Sequence, residues 1–210
     1  MIIVNFKTYK ESTGKKAAEL AMKIKGKAII AVQAVDIHHV KKYTNSKVYA
    51  QHVDGADQGK TTGAVTAEAV KEAGATGTLL NHAEKRMKME ELKLSIESCK
   101  KNKLKTVVCV PSIPIAKKVI GLRPDCMAFE DPKLIGTGRS VSTYNPSALR
   151  KFAKLLKGTR ITPLCGAGIS IGQDAKAAKE LGMKGVLLAS AVVKAKDPKR
   201  LVDDILKALK

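Results

Sequence analysis

Apolar and polar positions follow two periods along this chain. Eight short runs rich in Val, Ile and Leu recur at residues 2–6 (IIVNF), 28–32 (AIIAV), 47–51 (KVYAQ), 77–81 (GTLLN), 105–110 (KTVVCV), 125–130 (DCMAFE), 160–165 (RITPLC) and 185–190 (GVLLAS). Their starts lie about 26 residues apart on average, which is the length of a strand, a helix and two loops. Between them the apolar residues fall on helical spacing. GKKAAELAMKIK follows the first run and DIHHVKKY the second. TAEAVKEAG closes on a glycine, as a helix C-cap does. NPSALRKFAKLLKG has Pro near its start and Gly at its end. DPKRLVDDILKALK has an Asp cap and Pro at the first helical position. The helices after the second and fifth runs are short and are predicted to be the weakest.

Strands that read as continuous apolar runs are buried on both faces, as in a parallel sheet. Eight strand–helix units without a break in composition predict one α/β domain over residues 1–210, closed into a (β/α)8 barrel. An open doubly wound sheet is the alternative. It calls for a G-x-G-x-x-G turn after the first strand, and VNFKTYKESTG contains none. No internal repeat is visible.

In such a barrel, chemistry gathers where the strands end. The first run ends in Asn5 and leads to Lys7. The third ends in Gln51. The fourth ends in Asn81 and leads to His82 and Glu84. The sixth ends in Glu130. The seventh and eighth open into CGAGIS and ASAVV. Each feature alone has an ordinary explanation: a solvated lysine, a structural histidine, small residues that let a helix pack. Together on one rim they place a cation, an imidazole, a carboxylate and two small-residue turns. Backbone N–H groups at Gly166, Ala167, Gly168, Ala189 and Ser190 can approach a phosphate closely. No GxxxxGK[ST] motif is present, so ATP is not implied.

Composition narrows the classes. Apolar residues are 44% of the chain and aromatics 3%, with no Trp, so the core must be aliphatic. Nothing approaches the ~18 apolar residues of a membrane span. MIIVNFKTY lacks the features of a signal peptide, and a cytoplasmic location is expected. Cys99, Cys109, Cys126 and Cys165 form no C-x-x-C pair and lie mostly in or beside apolar runs, so buried reduced thiols are expected rather than a metal site. Net charge is +20, from 39 Lys+Arg against 19 Asp+Glu. Such a charge favours anionic partners. The lysines are scattered along helical segments, as on solvated faces. The near absence of aromatics argues against specific nucleic-acid binding, and charge alone gives only salt-dependent, non-specific association. His38, His39 and His52 are expected at the surface without partners.

The motifs resemble the triosephosphate isomerase family, most closely its short archaeal form, from end to end. VNFKTY is similar to the family's first-strand Asn-x-Lys signature, and LLNHAEKRM to its histidine motif. FEDPKLIGTG resembles its catalytic-glutamate strand and lid. LCGAGIS and LLASAVVKAKDP resemble its two phosphate loops. The resemblance implies that dihydroxyacetone phosphate and glyceraldehyde 3-phosphate are interconverted without metal or organic cofactor. It implies Glu130 as the base, His82 as a neutral electrophile and Lys7 as the stabiliser of negative charge, with Asn5 beside it. Ile135, Gly136, Gly168, Ala189 and Ser190 would bind the phosphate, and Glu84 would pair with Lys7. Asp131-Pro132 would be the stiff front hinge of a lid, Lys133-Leu134-Ile135 its tip, and Gly136-Thr137-Gly138 its rear hinge. Residues 52–64 resemble the loop that in relatives enters a neighbouring subunit, which implies a homodimer or homotetramer. Three positions depart from the pattern. Ala83 follows the histidine where the family usually has serine. Ala191 stands where archaeal relatives usually have glycine, and Asp131 where proline is common. The alternatives are another phosphosugar isomerase on the same barrel, or a catalytically impaired relative that binds phosphate ligands.

Overall fold

A computed structural model describes residues 1–134 and 140–210. In chain order the elements are β1 (Ile2–Asn5), α1 (Lys15–Lys23), β2 (Ile29–Val32), α2 (Ile37–Tyr43), β3 (Val48–Ala50), α3 (Ala67–Glu72) and β4 (Gly77–Leu80). They continue with α4 (Met89–Lys101), β5 (Lys105–Val110), α5 (Ile113–Ile120), β6 (Cys126–Phe129), α6 (Val141–Tyr144) and α7 (Pro146–Leu156). The last are β7 (Thr162–Cys165), α8 (Gly172–Glu180), β8 (Val186–Leu188), α9 (Ser190–Val193) and α10 (Pro198–Ala208). Each strand pairs in parallel with the next, and β8 closes on β1, with Ile3 opposite Leu187. All eight predicted strands form, within one or two residues of the apolar runs.

Strand parity divides the core in two. Ile3, Ala31, Tyr49, Leu79, Val107, Ala128, Leu164 and Leu187 point into the barrel and fill it. Their sequence neighbours point outward against the helices. The interior is aliphatic as expected, apart from Tyr49 and the thiols of Cys109 and Cys126. That ring fits because Gly77 opposite has no side chain; a Cβ there would lie 2.5 Å from Tyr49 Cζ. Pro163 lies within β7. In a parallel ladder a residue's N–H and C=O face the same neighbour. Pro163 O accepts from Lys184 N, on the β8 side, so its missing N–H is a donor lost to that seam. Only one register pair, Cys165 with Val186, joins β7 to β8.

The helices start where their caps predict. Thr66, Asn145 and Asp197 each accept from the backbone N–H three residues on. The helices after the second and fifth strands are short, as expected, and α3 is shorter still. α3, after the third strand, has six residues, against seven for α2 and eight for α5. Gly74 at φ 100° breaks it off one residue after its cap. All four cysteines are free and buried, and burial raises the Cys126 thiol to about 11 and Cys99 to about 12. Among the described residues no helix is long and apolar enough to cross a membrane.

Candidate active site

Strand parity carries past the strand ends and builds the mouth. Asn5 is two residues beyond the inward-facing Ile3, Gln51 two beyond Tyr49, Asn81 two beyond Leu79, and Glu130 two beyond Ala128. A side chain continuing that alternation faces the barrel axis. Polar groups at these positions therefore converge on one rim, where a cleft is lined by Asn5, Lys7, Tyr9, His82, Glu130, Gly168, Ala189 and Ser190.

Glu130 is 3% exposed. Its Oε1 lies 3.7 Å from His82 Nε2, beyond hydrogen-bond reach. Its Oε2 is buried and has no hydrogen-bond partner among the described residues. A buried carboxylate oxygen left unpaired is costly, so this one is held by the packing around it. Gly166 makes the room: a Cβ there would lie 2.5 Å from Glu130 Cγ and 3.0 Å from Oε1. Sequence reading places Gly166 only in a phosphate turn. Its parity, two residues beyond the inward-facing Leu164, is the signal that puts it against the carboxylate. Ala83 brings no hydroxyl to the site, in keeping with the unpartnered Oε2.

His82 has a fixed tautomer. The Glu84 backbone N–H donates to His82 Nδ1 at 3.2 Å. Glu84 Oε2 also lies 3.6 Å from Nδ1, a pairing that needs a proton on that nitrogen. The amide always donates and is nearer, so Nδ1 is the acceptor and Nε2 carries the ring proton. Nε2–H then faces the cleft beside Glu130. The loop that presents it is tied from below. Asn81 stands at φ 56°; its Nδ2 donates to Cys109 O at 2.9 Å and its Oδ1 accepts from Met87 N at 3.0 Å. Arg86 donates to Asn81 O at 2.8 Å.

Lys7 is held in a strained conformation, φ 46°, which costs an L-residue roughly 1–2 kcal/mol. Two mouth residues fix it. Asn5 Oδ1 accepts the Lys7 N–H at 3.0 Å, and Gln51 Nε2 donates to Lys7 O at 2.9 Å. Lys7 Nζ lies 2.6 Å from Glu84 Oε1, the pairing expected. Gln51, which strand-end reading puts on the rim, is thus a positioning residue, and so is Arg86, which that reading does not identify.

The two small-residue turns lie across the cleft. Ala167 and Gly168 are successive left-handed residues, at φ 64° and 72°. Glycine adopts that conformation freely and alanine does not. Ser170 N and Ile171 N both donate to Asp174 Oδ2, at 2.9 and 3.2 Å, which anchors this turn on α8. In the other turn α9 begins at Ser190 after Ala189. The first N–H groups of a helix have no partner within it. Ala191, where a glycine was the pattern, lines the same cleft.

Of the lid, Pro132–Leu134 form a 3-10 turn. Asp131 ties its start, accepting from Lys133 N at 3.1 Å and from Asn145 Nδ2 at 3.3 Å. Leu134, assigned to the lid tip, is buried in the shell core. Ile135 and Gly136, with Thr137 and Gly138 of the rear hinge, lie outside the described residues. Two histidines expected to be unpartnered are not. His52 Nε2 is 2.9 Å from Asp54 Oδ1, and His39 packs edge-on to Tyr43 at 5.2 Å between ring centroids. Asp54 is held below the usual carboxylate range despite its burial, by the Val65 N–H and by His52. His38 is exposed.

A sequence model of the triosephosphate isomerase family matches residues 1–208. The triosephosphate isomerase of Methanocaldococcus jannaschii is 43% identical over 217 aligned positions, covering 99% of each chain. That of Methanothermus fervidus is 41% identical, covering 98% of this chain and 97% of its own. That of Sulfolobus acidocaldarius is also 41% identical, covering 99% and 94%.

Proposed function

The chain belongs to the triosephosphate isomerase family and is an isomerase of triose phosphates, and from that premise we propose how its residues divide the work. Dihydroxyacetone phosphate and D-glyceraldehyde 3-phosphate interconvert through an enediolate. Glu130 takes a proton from the carbon beside the carbonyl and returns it to the adjacent carbon. His82 donates from Nε2 to the oxygen on which charge develops. Lys7, positioned by Asn5 and Gln51, stabilises that charge and the phosphate. Gly168, Ala189 and Ser190 offer backbone N–H groups to the phosphate, with Ile135 and Gly136 completing the site. The observation that carries this reading is the pair of ends facing one cleft: a buried, unpartnered carboxylate oxygen and a ring N–H on the same rim.

The physics follows from that pairing. Proton removal next to a carbonyl generates an oxyanion, and fixed donors lower the barrier because they need no reorganisation. His82 is fixed by the Glu84 amide. Glu130 is fixed by packing on Gly166 and has a free oxygen to receive the proton. A closing lid would exclude water and protect the enediolate from losing its phosphate. The pathway role is glycolysis and gluconeogenesis. The free, buried thiols support a reducing cytoplasm. A homodimer or homotetramer is supported by the resemblance of residues 52–64 and by Leu94, half exposed under the Gly55 turn.

The test is the purified protein's turnover of glyceraldehyde 3-phosphate, coupled to reduction of the ketose product. Fast turnover is expected. Turnover confined to larger phosphosugars would move the assignment to another isomerase. Binding of triose phosphates without turnover would identify an impaired relative. Gly166→Ala probes the placement of the base. Its methyl must push the Glu130 carboxylate aside, and a shift of about 1 Å costs about 10²-fold in rate. kcat is expected to fall by about that factor with the far-ultraviolet circular dichroism unchanged. An unchanged kcat would show that Glu130 does not need this position.

A further inference from the structure

The excess of cations is not spread evenly over the barrel. The connections entering β2 to β8 span residues 24–29, 44–48, 73–77, 102–105, 121–126, 157–162 and 181–186, counted through the first residue of each strand. They hold nine Lys or Arg and one carboxylate, Asp125. The connections leaving the strands toward the next helix, where the active-site cleft lies, hold seven of each among the described residues. Parallel strands put all the first set at one end of the barrel and all the second at the other. The end opposite the active site is therefore a ring of positive charge.

Little of that charge is neutralised. Lys27 pairs with Asp203 and Lys105 with Asp125; among the described residues the other seven have no carboxylate within the 4.0 Å of an ion pair. Backbone hydrogen bonds set the connections side by side: Thr162 N donates to Asp125 O and Lys184 N to Pro163 O, both at 2.9 Å. Between the last two strands the face carries a groove lined by Lys154, Lys157, Arg160 and Lys184 with no carboxylate in its wall. Two ring cations are kept at a conformational cost. Lys103 and Arg123, just after α4 and α5, stand at φ 56° and 52°. Glycine is preferred in that conformation after a helix, and Gly74, Gly158 and Gly182 fill it after α3, α7 and α8.

We propose that this face binds the paired phosphodiester backbones of a nucleic-acid duplex, without reading sequence. The cations come from six of the seven connections, too widely spread for one small anion to meet. The connections contain no Phe, Tyr or Trp, so they have no platform on which unpaired bases would stack. None of the exposed large apolar side chains lies in them, so they lack the apolar anchors of a protein interface. The duplex lies on the far end of the barrel and leaves the catalytic mouth open.

The experiment uses the full chain and fluorescently labelled duplexes of two unrelated sequences, as DNA and as RNA, titrated at several salt concentrations. Affinity is expected to be independent of sequence and to fall with salt, with a log–log slope of about −0.9 per DNA phosphate neutralised. The DNA and RNA arms identify which backbone geometry fits the ring. Lys103→Gly/Arg123→Gly/Lys157→Gln should weaken binding about tenfold or more and flatten the slope by about one unit per cation removed. Its thermal midpoint should not fall, because two strained residues become glycine. Lys16→Gln/Lys151→Gln/Lys176→Gln, which removes the same charge from exposed helix positions, should change affinity less than about twofold. Isomerase turnover should be unaltered by saturating duplex. Equal losses in the two triple variants would reduce the effect to net charge and overturn the proposal. So would inhibition of turnover by duplex, or preferential binding of acidic polypeptide, inorganic polyphosphate or anionic lipid vesicles over duplex.

Discussion

Glu130→Gln is expected to lower kcat by about 10²–10⁴-fold, the usual contribution of a positioned general base, without loss of fold. The substitution keeps shape and volume. What it removes is the ability to accept a proton. The effect on stability should run the other way. Glu130 is 3% exposed and its Oε2 has no hydrogen-bond partner among the described residues, and a neutral amide is cheaper to bury than a carboxylate. The thermal midpoint should therefore equal or exceed that of the wild type, while activity collapses. Both quantities are measured on one preparation. A variant within threefold of wild-type turnover would take the base role away from Glu130. A variant that is both dead and unfolded would mean that the carboxylate is structural.

Lys7→Met is the second large effect. Among the described residues Lys7 is the one Lys or Arg lining the cleft, and its side chain is 14% exposed. Removing one fixed electrostatic stabiliser costs about 10²–10³-fold in kcat, with a further rise in KM if it also holds the phosphate. Stability should change little. The partner Glu84 is 57% exposed and is solvated when left alone, and pairs with an exposed member contribute about 0–1 kcal/mol. The strained backbone at Lys7 is held by the Asn5 and Gln51 side chains and does not depend on its own side chain. Lys7→Arg should not restore full activity, because the planar guanidinium does not replace a compact ammonium. Steady-state kinetics with separated kcat and KM decide the matter; unchanged kcat and KM would leave Lys7 only its pairing with Glu84.

The two variants also differ in what they ask of the surroundings. In the role proposed for it, Glu130 acts from a strand end and packs on Gly166, just past the end of β7. Lys7 acts from a loop whose conformation depends on Gln51. Each functional side chain thus relies on a residue more than thirty positions away along the chain, and no local pattern reports such a dependence.

What the sequence determined by itself is whatever follows from local periodicity. The eight strands were legible because a strand buried on both faces must be apolar throughout. The start of α10 at Pro198 was legible because Asp197 satisfies an N–H group three residues on. Asn5, His82 and Glu130 stood out because each stands in, at the end of, or just after an apolar run as a polar group. What only the tertiary structure decided depends on how the chain is folded, even between residues close in sequence. The His82 tautomer required the orientation of the Glu84 amide. The His52–Asp54 pair, though only two residues apart, required the chain to turn and bond to Val65. The burial of Leu134 required the shell core to be in place. The concentration of cations at one end of the barrel required the parallel order of all eight strands, because a scatter of lysines along a sequence becomes a ring only when the fold brings the strand starts together.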